Sequence, residues 1–150
     1  MLFRSKDEIL AAVRARAFLQ FAQTLEVAYA KGTDAGSRAA STGEAYIRFA
    51  LENPGTYKLM FDMTQPEHGK YPELEKAADR ARLTMTRHIH PLVEEGILEG
   101  DPELIGNIYW VMLHGAVTLQ LANKLDSECD MKRILDGAFD ALNRGFSPKK

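Results

Sequence analysis

Apolar residues recur at helical spacing from one end of this chain to the other, and nowhere do they alternate in a run bounded by turn residues. A strand sends successive side chains to opposite faces, whereas a helix brings positions three and four apart onto one stripe. The pattern therefore predicts an all-α protein, a bundle of about six amphipathic helices. At 150 residues it makes one domain, and a domain of that size buries roughly 68–70% of the surface exposed by its unfolded form. No internal repeat, linker or low-complexity stretch divides it, so 1–150 is expected to form a single unit.

Local signals set the expected boundaries. Ser5 with Glu8 three residues later makes a capping-box pattern, opening a first helix with Ile9, Leu10, Val13, Ala17, Phe21 and Leu25 as its apolar positions and Gly32 as its end. A second helix should run from about Ala35 to Glu52, with Ala39, Gly43, Tyr46, Phe49 and Ala50 on or beside one face. Asn53 then caps a short helix that starts at Pro54 and ends near Phe61. A loop over Asp62–Lys70 leads to a fourth helix from Pro72, carrying Leu74, Ala77, Ala78, Ala81, Met85, His88, Ile89 and Leu92, with a kink or break at Pro91 near its end. Gly96-Ile97 resembles a Schellman stop, Asp101 caps a fifth helix reaching about Leu125, and Asp130 opens the last, which frays beyond Gly145.

Several function classes lose ground on composition and spacing. The formal net charge is -2, without the basic stripe of an autonomous nucleic-acid binder. The single cysteine, Cys129, excludes an internal disulfide and fits a reducing, cytoplasmic setting. No uninterrupted apolar run approaches the ~18 residues of a membrane span. The four histidines, His68, His88, His90 and His114, show no His-Glu-x-x-His or Glu-x-x-His spacing, and His88 and His90 point about 200° apart on a helix. His90 and Glu94 are spaced for a surface pair, and Arg80, Arg82 and Arg87 lie among acids on what reads as a solvated face. No phosphate loop, nucleophile elbow or reactive-cysteine setting is present, so the expectation is a protein without metal or cofactor that is not an enzyme.

Two segments carry a family likeness. Gly43-Glu44-Ala45-Tyr46-Ile47-Arg48-Phe49-Ala50-Leu51-Glu52-Asn53-Pro54, followed by Tyr57-Lys58-Leu59-Met60-Phe61, and then Trp110-Val111-Met112-Leu113-His114-Gly115, resemble the C-terminal domain of TetR-type transcriptional regulators of the WHG kind. Leu2–Leu10 is similar to the stretch that follows the recognition helix in such regulators. The resemblance implies an orthogonal helical bundle that senses a ligand and dimerises, most simply as part of a repressor. It also implies a helix-turn-helix ahead of this stretch, a recognition helix being what reads a major groove. The chain holds no such helix, and the expectation is that these residues alone bind no operator. A helical dimer partnering full-length regulators is the alternative.

The sensing role implies a cavity lined by apolar and aromatic side chains with a few polar groups. Candidate lining residues are Phe18, Phe21, Tyr46, Phe49, Tyr57, Met60, Phe61, Met85, His88, Ile89, Trp110 and His114. Each alone is as readily core filling. Trp110, His114 and Gly115 read first as structural, Gly115 permitting a close helix crossing and His114 satisfying a backbone carbonyl. The resemblance places a homodimer interface on the last two helices, with Ile105, Ile108, Tyr109, Met112, Ala116 and Leu119 on one and Ile134, Leu135, Ala138, Phe139 and Leu142 on the other.

Overall fold

A computed structural model describes residues 4–62, 64, 66 and 69–149. Among them are seven α-helices and no strand: α1 (Lys6–Lys31), α2 (Ala35–Glu52), α3 (Pro54–Met60), α4 (Pro72–Thr86), α5 (Ile89–Glu94), α6 (Pro102–Leu121) and α7 (Met131–Phe146). Leu2, Phe3 and His68 lie outside the described residues, as does part of the expected 62–70 loop.

Most helix ends follow from side-chain capping, which satisfies backbone groups that the helix itself leaves unpaired. The Ser5 hydroxyl accepts from the Glu8 N–H at 3.2 Å, the Asp34 carboxylate from Ser37 at 2.8 Å, and the Asp130 carboxylate from Arg133 at 2.9 Å. Gly96 adopts φ +71°, and the Ile97 and Gly96 amides donate to Leu92 and Val93, completing a Schellman stop after α5.

Three boundaries differ from expectation. The expected fourth helix is two, α4 and α5, the kink or break expected at Pro91 falling instead as a break at Arg87-His88. Pro91 has no N–H for the Arg87 carbonyl, so it sits in the first turn of a new helix, where that donor is not needed. The fifth expected helix stops at Leu121, because Asn123 takes the left-handed conformation (φ 53°) and the Lys124 amide donates to Leu119. Asn53 does not cap α3 through its side chain; its amide donates to the Phe49 carbonyl of α2 at 3.0 Å.

α1 is the spine, packed along α4 and α2, with α3 tucked against α1 and α2 and with α6 lying on α4 and α7. The main core gathers Phe21, Leu25, Tyr46, Phe49, Tyr57, Met60, Ala81, Met85, Leu113 and Val117 around these contacts. The first turns of α1 do not join it. Ile9, Leu10 and Val13 are exposed, and the inward positions are instead Ala11, Arg14 and Ala15; the two alanines let α4 approach through Leu74 and Ala77, and Arg14 reaches the Thr64 carbonyl and Asp62.

Candidate functional site

A cavity of about 670 Å³, open to solvent on one side, lies among α1, α2, α4, α5, α6 and α7. Leu25 of α1 and Met85 of α4 line it, together with Thr42, Gly43, Tyr46 and Ile47 of α2. Ile89 and Leu92 of α5, Tyr109, Trp110 and Leu113 of α6, and Phe139 and Asn143 of α7 complete the wall, with His88 at the α4–α5 break. Met85 and Ile89, four residues apart, face the hollow from the two sides of the break, with His88 at the break itself. Exposed Ala40, Glu44, Asp136 and Asn143 belong to the lining and mark the mouth.

Most polar groups of the wall are already used within the subunit. The Tyr109 hydroxyl donates to Asn143 Oδ1 at 2.6 Å, Thr42 donates to the Arg38 carbonyl at 2.8 Å, and Ser147 to the Asn143 carbonyl at 2.7 Å. The Tyr46 and Tyr57 hydroxyls share a hydrogen bond of 2.6 Å, and Tyr57 is in turn 2.6 Å from His114 Nδ1. Burial raises the pKa of both phenols and lowers that of His114, so the three stay neutral and hydrogen-bonded. The indole of Trp110 approaches the Tyr46 hydroxyl closely enough to favour its ionised form, yet Nε1 closes no hydrogen bond. Burial pushes His88 down to about 4, outweighing the Thr84 backbone group that favours its charged form; its Nδ1 is unpartnered.

Tyr46, Met85, His88, Ile89 and Trp110 come together on this wall. The other expected lining residues do not reach it: Phe18, Phe21, Phe49, Tyr57, Met60, Phe61 and His114 form the aromatic core behind α2, where Phe21 stands edge-on to Tyr46 and Phe49, and Phe61 lies 4.5 Å from His114. His114 meets the Tyr57 hydroxyl rather than a backbone carbonyl, and Phe61 packs against both His114 and Trp110. Gly115 makes no crossing within the subunit, a Cβ there meeting nothing within 4 Å. The close crossing is at Gly106, whose Cβ would stand 3.0 Å from Thr86 Cα. His90 pairs with Glu103 of α6 at 2.9 Å instead of Glu94, because the break turns it toward α6.

The residues expected at a dimer interface also divide. Ile105, Tyr109, Ala116 and Leu135 are buried inside one subunit, and Phe139 lines the cavity. Ile108, Met112, Ile134, Ala138 and Leu142 are half-buried and Leu119 is exposed. Leu104 and Val111, absent from the expected set, are 58% and 69% exposed on the outer face of α6. Sequence reasoning also missed Leu25, Thr42, Gly43, Ile47, Leu92, Leu113 and Asn143 of the wall. The helical spacing of Ala39, Gly43 and Tyr46 on α2 was the available signal.

Among the described residues no group of three or more His, Cys, Asp or Glu side chains is placed to hold a metal ion. Residues 39–142 match the model of a family described as tetracyclin repressor-like, C-terminal domain. No curated protein matches the chain. Among solved structures, a protein of unknown function from Rhodococcus sp. RHA1 is similar at a TM-score of 0.83 and 24% identity, over 97% of this chain and 75% of that one. A second, SCO4313, described as regulatory, is similar at 0.72 and 19% identity, over 93% and 74%.

Proposed function

Since the chain belongs to the tetracyclin repressor-like C-terminal domain family, we propose that it is the ligand-sensing and dimerising part of a transcriptional regulator that acts as a repressor, with the effector seated in the α1–α2–α4–α5–α6–α7 cavity. The observation that carries this reading is the hollow itself. Its volume of about 670 Å³ lies within the ~300–1,000 Å³ of small-molecule sites, and its wall is mostly apolar with few uncommitted polar groups. The effector is accordingly a small, largely apolar molecule.

The reading requires the effector to bias an equilibrium between settings of α1, the helix whose N-terminus would join a DNA-reading head. Leu25 gives α1 a place on the cavity wall, and α1 also packs along α4, which supplies Met85. A ligand that prefers one α1 setting shifts the pair of heads only by its difference in affinity for the two settings. DNA contact belongs to such a head. The homodimer brings two of these bodies together through α6 and α7.

Gly43 supplies the test. It lines the cavity, and a Cβ there meets nothing within 4 Å, so Gly43→Phe projects its ring into the empty space. The neutral fluorophore N-phenyl-1-naphthylamine should bind the unaltered chain at micromolar concentration, and Gly43→Phe should abolish that binding while keeping the melting temperature. Unchanged fluorophore binding by a folded Gly43→Phe variant overturns the reading.

A further inference from the structure

The charge around the cavity is one-sided. Its lining holds two carboxylates, Glu44 and Asp136, and not one lysine or arginine. The cations around it stand outside the lining: Arg87 lies over the Tyr29 ring, 5.1 Å from its centroid, Lys132 pairs with Asp136 on the exposed surface of α7, and Lys31 and Arg48 line a second, separate hollow that Glu44 also borders. His88 adds no charge, because burial keeps it neutral at physiological pH. A carboxylate or phosphate on a ligand would lose its water here without gaining a partner of opposite sign, a strongly unfavourable exchange.

Glu44 is the complementary case. It makes no hydrogen bond or ion pair among the described residues, and it sits at the mouth rather than the floor. Asp136 is held only by Lys132, in a pair whose side chains are 64% and 82% exposed, and exposed pairs of this kind contribute little. Glu44 is therefore open to an incoming cation, and Asp136 becomes so by exchanging the solvent-exposed Lys132. Behind them stand the rings of Tyr46, Tyr109, Trp110 and Phe139, and electron-rich aromatic surface attracts cations, quaternary ammonium above all. The deeper wall, with Leu25, Met85 and Leu113, suits an apolar body.

We propose that the effector is an amphipathic organic cation, with its apolar body in the cavity and its ammonium group at the mouth that carries Glu44 and Asp136. This rests on the cavity being the effector site, and the test separates the two ideas. Three probes share a phenylbutyl skeleton: the trimethylammonium salt, its uncharged tert-butyl isostere and the matching carboxylate. Calorimetric or fluorophore-displacement titration of the unaltered chain at neutral pH should rank the cation about tenfold tighter than the isostere, with the carboxylate weakest. High salt and the double variant Glu44→Gln/Asp136→Asn should both shrink the cation's lead without weakening the isostere.

Equal affinities, a leading carboxylate, or a lead that survives the double variant overturns the charge assignment. If the isostere binds in the Gly43→Phe-sensitive site while the cation does not, the effector site stands and only its charge preference falls. If none of the three binds at millimolar concentration, both fall.

Discussion

Tyr57 makes two hydrogen bonds through one hydroxyl, to Tyr46 on α2 and to His114 on α6. Removing that oxygen takes the partner from the buried Tyr46 hydroxyl and from the half-buried His114 ring nitrogen, and the cost of an unpaired buried group exceeds the modest net gain of an ordinary hydrogen bond. Tyr57→Phe keeps the ring contacts with Tyr46, Phe61 and His114. It should therefore lower stability by about 2–3 kcal/mol, seen as a lower urea midpoint with an unchanged slope. His88 makes a prediction in pH. Its folded pKa of about 4 lies below the ordinary value of 6.5, so between these values the unfolded chain binds the additional proton. The stability tied to neutral His88 is full above pH 6.5 and is lost as pH falls toward 4, by about 3 kcal/mol at most. Urea midpoints across that window should fall less steeply in His88→Gln. The sequence allowed Tyr46, His88 and Trp110 to be chosen because polar-tipped aromatics in a bundle need partners. It did not say which partner, since Tyr57 carries the same phenol as Tyr46 and His114 offers the same kind of polar ring tip as His88, and only the packing places one member of each pair on the hollow.

Helix ends were legible where capping is local: Ser5, Asp101 and Asp130 each act on an amide two or three residues away. They were less legible where a backbone choice competes with periodicity, as at Asn123 and at Arg87-His88. Glycines show the same limit between elements. The Trp110–Gly115 segment drew the expected close crossing to Gly115, yet a Cβ on Gly106 meets the backbone of Thr86 at 3.0 Å and one on Gly115 meets open space. Gly106→Ala must push α6 from the end of α4, at a cost of about 1–3 kcal/mol, whereas Gly115→Ala gains helix propensity of up to ~1 kcal/mol against no contact in its own subunit. Thermal melts should move in opposite directions, and equal destabilisation by both would contradict this account of the α4–α6 crossing.

At the scale of the molecule the outer face of α6 is the unsolved remainder of the fold. An 18-residue stretch of this helix has a mean hydropathy of 1.2, yet only 33% of it is buried within the subunit. Its inner face is occupied by Ile105, Gly106, Tyr109, Leu113, Ala116 and Val117. Its outer face carries Leu104, Ile108, Val111, Gly115 and Leu119 at spacings of four, three, four and four, a continuous stripe beside Ile134, Ala138 and Leu142 of α7. A stripe of that kind suits antiparallel or crossed packing against the same stripe of a second copy. A dimer built on two helices from each copy would remove about 2,000 Å² from water or more and persist at micromolar concentration. Val111 is 69% exposed, so Val111→Arg costs the isolated subunit almost nothing but buries two unpaired guanidinium groups at a two-fold seam. Sedimentation should find a dimer for the unaltered chain and a folded monomer for Val111→Arg, with helical content preserved. A monomer in both would leave the apolar stripe without an occupant and remove the dimerising half of the proposed function, while a dimer in both would move the interface off α6.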